Sequence, residues 1–118
     1  MSCMHSDSNL ISAILQFCRD LEGSMNEFGD DADVFMNNRA YQHACSFCIL
    51  QIGENAGNLS QKLRDEYPEI EWGKMKGMRN IIAHGYHGID LEAVWVAMTE
   101  DVPILRDVCE RILKELDP

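Results

Sequence analysis

The sequence predicts an all-α fold, an up-and-down bundle of four to five helices. Apolar residues recur at intervals of three and four along most of the chain, and no segment alternates apolar and polar residues with a period of two. Only 8 glycines and 3 prolines interrupt the 118 residues, of which 46% are hydrophobic. A chain of this length and composition can bury a core without disulfide bonds, so we expect residues 1–118 to form a single domain.

The first predicted helix carries an apolar stripe in steps of four, three and four residues. Ser8 or Asn9 can cap its start, and we expect the helix to end near Gly23. A polar stretch, residues 24–33, follows. The stripe consists of Leu10, Ile14, Phe17 and Leu21.

The second predicted helix is long. It is expected to begin near Asp33 and to end at Tyr67-Pro68, because the residue before a proline disfavours helical backbone. Its apolar stripe is Ala44, Cys48, Ile52, Ala56, Leu59 and Leu63.

A short helix is predicted between Trp72 and Gly88, ending in a turn at Gly85. Asp90 is the expected N-cap of the last segment. Pro103 must either kink that segment or begin a second helix, because it lacks a backbone donor and clashes with the preceding turn. The apolar seam of the last segment is Leu91, Trp95, Met98, Val102, Leu105, Cys109, Ile112 and Leu116.

The charge is unevenly distributed. The chain has 20 acidic and 10 basic residues, a net charge of −10, which argues against a protein that coats nucleic acid or anionic membrane by bulk attraction. However, the segment Lys74–His87 contains three basic residues, two histidines and no acidic residue. It carries +3, against −13 for the rest of the chain. Such an island suits an anionic ligand, and phosphate is the obvious candidate.

If the ligand is RNA, two residues of this island fit the chemistry of cleavage. Arg79 can neutralise the crowded phosphate, and His84 can act as general base or general acid. Five residues on a straight helix rotate by about 140°, so these side chains would not share a face. Either the helix breaks near Gly85, or a second copy of the chain completes the site in a symmetric dimer.

The run Arg79-Asn80-x-x-x-His84-x-Tyr86 resembles the R-x4-H-x-Y signature of HEPN-domain proteins, specifically the HepT-like toxins of the DUF86 family. The resemblance covers nearly the whole chain and follows the family's order. Its other landmarks are Glu27-Phe28, Ile52-Gly53-Glu54, the segment from Pro68 to Trp72, Gly77-Met78, Val94-Trp95 and Asp101-Val102-Pro103.

This resemblance implies a HEPN-type all-α homodimer whose shared cleft acts as a metal-independent endoribonuclease toxin. In family terms Arg79 and His84 are catalytic and Asn80 is a polar helper. The implied partner is an MNT-type minimal nucleotidyltransferase antitoxin, which silences the toxin by attaching AMP to Tyr86. We expect no cofactor and no metal. The alternative is a non-catalytic helical module that binds the nucleotidyltransferase, and a third hypothesis is a nucleotide-binding bundle.

Further contacts with substrate phosphates are expected from Lys74, Lys76 and His87, and His87 leaves the identity of the general acid open. Glu54 is expected to be a surface or capping carboxylate rather than a catalytic one, and it could still pair with Arg79. The acidic run Asp30, Asp31 and Asp33 is expected to be a solvated loop or helix start, with mimicry of RNA as an alternative.

Two groups of residues have spacings that could bind a metal, but neither is expected to do so. His43-x-Cys45-x-x-Cys48 lacks a second pair of ligands, and Cys48 lies on the apolar stripe, so buried thiols are expected. His84, His87 and Asp90 are spaced by three, but the glycines between them do not favour a rigid helix. The sequence shows no targeting or membrane-spanning segment, and we expect a cytoplasmic protein.

Overall fold

The computed structural model describes residues 6–83 and 90–116, and every regular element in these two ranges is helical. The predicted all-α class is therefore confirmed. None of the helices in these ranges is both long enough and apolar enough to cross a membrane. The helices are α1 (Asp7–Phe28), α2 (Ala32–Met36), α3 (Arg39–Gly57), α4 (Gln61–Glu66), α5 (Trp72–Ala83), α6 (Leu91–Val96) and α7 (Val102–Leu116), with a π-helical turn, Ala97–Asp101, between α6 and α7.

Helix α3 packs against both α1 and α5, and α7 packs against α1. The buried apolar residues of these helices form one continuous core. The short helices α2 and α4 contribute Phe35 and Leu63 to it. Burial of each large apolar side chain contributes about 1.5–3 kcal/mol, so this core supplies the main driving force for folding.

Helix α1 is longer than its sequence predicts. Ser6 caps its start by accepting a hydrogen bond from the amide of Asn9 at 3.1 Å, so the prediction of Ser8 or Asn9 as the cap is wrong. The predicted end at Gly23 is also wrong, because the helix continues to Phe28 and stops at Gly29, whose φ is +120°. One internal glycine costs about 1 kcal/mol, and packing of Phe28 against the core opposes that cost.

The prediction of one long helix from Asp33 to Tyr67 is wrong, because this stretch is divided into α2, α3 and α4. Each piece has its own cap. The side chain of Asn38 accepts from the amide of Tyr41 at 3.0 Å, and the hydroxyl of Ser60 accepts from the amide of Leu63 at 3.1 Å. Such side chains offer the backbone an alternative to a continuous helix.

The join between α1 and α3 is fixed by the buried ring of Tyr41. This ring stacks on Phe28 with centroids 5.0 Å apart and meets Phe35 edge to face at the same separation. Its hydroxyl donates a hydrogen bond to the carbonyl of Gly29 at 3.1 Å. Burial raises the pKa of Tyr41 to about 12, so the phenol stays protonated and remains a donor.

The last segment follows the prediction. Asp90 caps α6 by accepting from the amide of Ala93 at 3.1 Å. Pro103 lies at the second position of α7, which follows the π-helical turn without a break, because Val96, Ala97 and Val102 all have right-handed helical backbone. The proline, which lacks a backbone donor, therefore coincides with the change from π-helical to α-helical structure. Within the predicted seam Leu91 and Trp95 are partly buried, and Leu116 is exposed. The seam's buried members are Met98, Val102, Leu105, Cys109 and Ile112.

The cysteines of the described residues are buried free thiols, as predicted. Desolvation raises the pKa of Cys45 to about 12 and that of Cys48 to about 11, which disfavours the thiolate that a metal would require. His43 is exposed, whereas both cysteines of the same motif are buried.

Candidate active site

Helix α5 carries the cationic residues of the site on its exposed side. Trp72, Met75 and Met78 are buried, with the indole nitrogen of Trp72 donating to the carbonyl of Tyr67 at 3.0 Å. This packing leaves a polar face of Lys76, Arg79 and Asn80 exposed, and residues three and four apart lie on one face of a helix.

The position of that face is set by Gly53 on α3. A Cβ atom at Gly53 would lie 3.0 Å from the backbone nitrogen of Arg79, 3.1 Å from the Cβ of Arg79 and 3.1 Å from the carbonyl oxygen of Met75. These are contacts with the backbone and the first side-chain atom of α5, which cannot move aside by a side-chain rotation. Glycine at this position therefore allows α3 and α5 to approach each other closely.

The close approach places Glu54 beside Arg79. An oxygen of the Glu54 carboxylate lies 2.6 Å from the Nε of Arg79, and the two side chains are 42% and 51% exposed. Glu54 is therefore a surface carboxylate, as expected, and it also pairs with Arg79. Two carboxylate oxygens can engage only one edge of a guanidinium with five N–H donors. Arg79 thus retains donors for a second anion.

Glu54 and Arg79 share an open depression of about 230 Å³. The aliphatic stem of Lys76 runs across Gly57, with its Cγ, Cδ and Cε atoms 3.6–3.8 Å from the position that a Cβ of Gly57 would occupy. Asn58 donates from its amide nitrogen to the backbone carbonyl of Glu54 at 3.1 Å. The depression is lined by Gly53, Glu54, Gly57, Asn58, Lys76 and Arg79.

Lys74 lies apart from this depression. Its ammonium group is 3.1 Å from the carboxylate of Asp101 in the π-helical turn, and this hydrogen bond raises the pKa of Lys74. Two other depressions, lined in part by Lys74, both include Asp101. Of the predicted phosphate contacts on α5, the structure therefore brings Lys76, and not Lys74, together with Arg79.

His84, Gly85, Tyr86 and His87 lie outside the residues that the structure describes. Asn80 follows Arg79 on α5 and is exposed. Among the described residues, no group of three or more histidine, cysteine, aspartate or glutamate side chains could hold a metal ion.

Comparison with known proteins defines the class. The sequence model of the family described as Ribonuclease HepT-like matches residues 14–112. This chain therefore belongs to the HepT-like ribonuclease family, and the resemblance inferred from the motif is confirmed. No solved structure matches the chain.

Its relatives carry ribonuclease names. The chain is 35% identical over 86 residues to Putative RNase MJ1380 of Methanocaldococcus jannaschii, covering 71% of this chain and 79% of the relative. It is 32% identical over 87 residues to Putative RNase MJ0125 of the same organism, covering 74% and 75%. It is 31% identical over 80 residues to Probable ribonuclease HepT of Thermococcus cleftensis, covering 68% and 73%.

Sequence reasoning missed the parts that α3 contributes to the depression, namely Gly57, Asn58 and the close contact at Gly53. A signal was present, because Gly53 and Gly57 are four residues apart and so share one face of a helix. Two small residues at this spacing allow a neighbouring helix to approach. Nothing in the sequence says that this neighbour is α5.

We predict that Gly53→Ala lowers the free energy of unfolding by about 1–3 kcal/mol, because the added methyl group overpacks the contact between α3 and α5. Gly77→Ala is the matched control, since a Cβ at that position of α5 meets no atom within 4 Å. It should leave stability unchanged or raise it by up to about 1 kcal/mol through helix propensity. Urea unfolding measures both. Equal effects of the two substitutions would contradict the assignment of Gly53 as a close contact.

Proposed function

We propose that this chain is a metal-independent endoribonuclease toxin, a single HEPN domain acting as a homodimer in the cytoplasm. The observation that carries the proposal is the placement of Arg79 with Lys76 in an open depression, in a chain whose net charge is −10. Membership of the HepT-like ribonuclease family supports the same conclusion.

In the proposed reaction the 2′-hydroxyl of RNA attacks the adjacent phosphorus, and the bond from phosphorus to the 5′-oxygen breaks. A base takes the 2′ proton and an acid delivers a proton to the 5′-oxygen, leaving a cyclic phosphate and a free 5′-hydroxyl. His84 serves as base or acid, and Arg79 neutralises the charge that develops on the phosphate. Asn80 is a polar helper, and this reaction needs no cofactor.

A homodimer supplies what one chain lacks. The reaction requires both a base and an acid, and a two-fold axis through the cleft would bring a second His84 and a second Arg79 to the same phosphate. Lys76 would contact neighbouring phosphates of the strand from within the depression. Lys74 and His87 are proposed as more peripheral phosphate contacts, with Lys74 released from Asp101 when RNA binds.

Cleavage of RNA by the purified protein in the presence of a chelator tests this proposal. We expect Arg79→Ala and His84→Ala each to lower the cleavage rate by at least about 10²-fold, because each removes a group that acts in the transition state. Arg111→Ala is the matched control. Arg111 is 50% exposed and paired with Glu69, as Arg79 is 51% exposed and paired with Glu54, so its loss should leave the rate within a few-fold of wild type.

A wild-type protein without activity, or catalytic variants as active as wild type, would contradict the ribonuclease proposal. An inactive protein that forms a stable complex with a nucleotidyltransferase, and is not toxic on expression, would instead be a non-catalytic binding module.

We propose further that an MNT-type nucleotidyltransferase antitoxin silences this toxin at Tyr86. The phenolic oxygen of Tyr86 would attack the α-phosphorus of ATP, so that AMP becomes attached and pyrophosphate leaves. The adduct adds bulk and negative charge two residues from His84, where an RNA phosphate must lie.

Co-expression with the product of the neighbouring gene, followed by intact-mass measurement, tests this modification. We expect AMP-sized additions on the wild-type chain and none on Tyr86→Phe. Tyr67→Phe is the control, because it removes a phenol from outside the motif and should retain the additions. An unchanged wild-type mass, or additions that persist in Tyr86→Phe, would refute the assignment.

A further inference from the structure

A carboxylate lies inside the site that is proposed to bind phosphate. Glu54 is 2.6 Å from Arg79 and lines the same depression as Lys76. A negative charge at this position repels an anionic substrate, so a site that only had to attract RNA would be better without it.

Stabilisation of the fold does not explain this carboxylate. Both partners of the ion pair are roughly half exposed, and pairs of this kind contribute little to stability because water screens them. Gly53 already lies against the carbonyl of Met75 and the backbone of Arg79, and this close contact does not involve the Glu54 carboxylate.

A role in orienting Arg79 explains the presence of the Glu54 carboxylate better than stabilisation of the fold does. Arginine has a long side chain with many rotamers, and a group that acts on a transition state must be held in one of them. Glu54 is suited to this task because its helix packs closely on α5: a Cβ at Gly53, the preceding residue, would lie 3.0 Å from the backbone nitrogen of Arg79. The carboxylate approaches Nε, one of five donors, and leaves others for the phosphate.

We propose that Glu54 is a positioning residue, which holds the Arg79 guanidinium in place for the transferring phosphate and weakens the binding of RNA in the ground state. This inference rests on the proposed ribonuclease function. It has a specific signature, because loss of the carboxylate should tighten substrate binding and slow catalysis at the same time.

Glu54→Gln tests the inference, since it keeps the shape of the side chain and removes its charge. Affinity for an oligonucleotide with a 2′-deoxy linkage at the cleavage position, which cannot react, should rise several-fold. The single-turnover rate at saturating RNA should fall at least about 10-fold. Glu54→Asp, which restores the charge, should recover part of the rate.

Glu22→Gln is the matched control for net charge. Glu22 on α1 is 39% exposed and lies 2.5 Å from Arg106 of α7, so the substitution breaks a similar ion pair outside the depression. It should change neither the cleavage rate nor the affinity by more than about two-fold. Thermal unfolding of each variant shows that the comparison is made between folded proteins.

A double-mutant cycle shows whether Glu54 acts through Arg79. Arg79→Lys keeps a positive charge but lacks the Nε atom that Glu54 contacts, so adding Glu54→Gln to it should cause little further loss of rate. The inference is overturned if Glu54→Gln behaves like Glu22→Gln, or if its rate loss is undiminished in the Arg79→Lys background. If wild type itself does not cleave RNA, the ribonuclease proposal fails first and this inference fails with it.

Discussion

The approach of α3 to α5 at Gly53 is the constraint on which the candidate site depends. Because no side chain separates the helices there, the backbone of Arg79 lies against α3, and Glu54 reaches the guanidinium from the next position. One turn later, Gly57 leaves room for the stem of Lys76. A larger residue at Gly53 would move the two helices apart, and Glu54, Lys76 and Arg79 would then no longer line one depression.

The uneven distribution of charge along the chain affects where RNA would bind. Non-specific affinity for RNA grows with the number of phosphates that a protein neutralises, so a chain with 20 acidic residues adheres weakly over most of its surface. The polar face of α5, which carries Lys76 and Arg79, remains attractive to phosphate. The negative charge of Glu54 weakens this local attraction. This is expected for a site that favours a correctly placed phosphate over phosphates in other positions.

Much of the fold follows from local rules. The apolar periodicity predicts an all-α chain, Asp90 marks the start of α6, and Pro103 marks the start of α7. The errors at Gly23 and Asp33 have a different origin. They depend on whether tertiary packing offsets one glycine and whether side-chain caps at Asn38 and Ser60 compete with a continuous helix, and periodicity measures neither effect.

The candidate site was predictable only in part. The motif identifies Arg79 and Asn80, and both are exposed on α5. Lys74 and Lys76 are equivalent in a count of charges, but two residues turn a helix by about 200°, and the structure places them in different surroundings. The pairing of Glu54 with Arg79 depends on the register of α3 against α5, which arises from the packing of the whole core.

We propose that Arg79, held by Glu54, receives the phosphate at the point of cleavage. A crystal structure of the protein with an RNA carrying a 2′-deoxy linkage at the cleavage position would show whether it does. We expect a phosphate oxygen within hydrogen-bonding distance of the terminal nitrogens of Arg79, with the Glu54 carboxylate still beside Nε. A phosphate bound elsewhere, with Arg79 making no contact to the RNA, would contradict this role of Arg79.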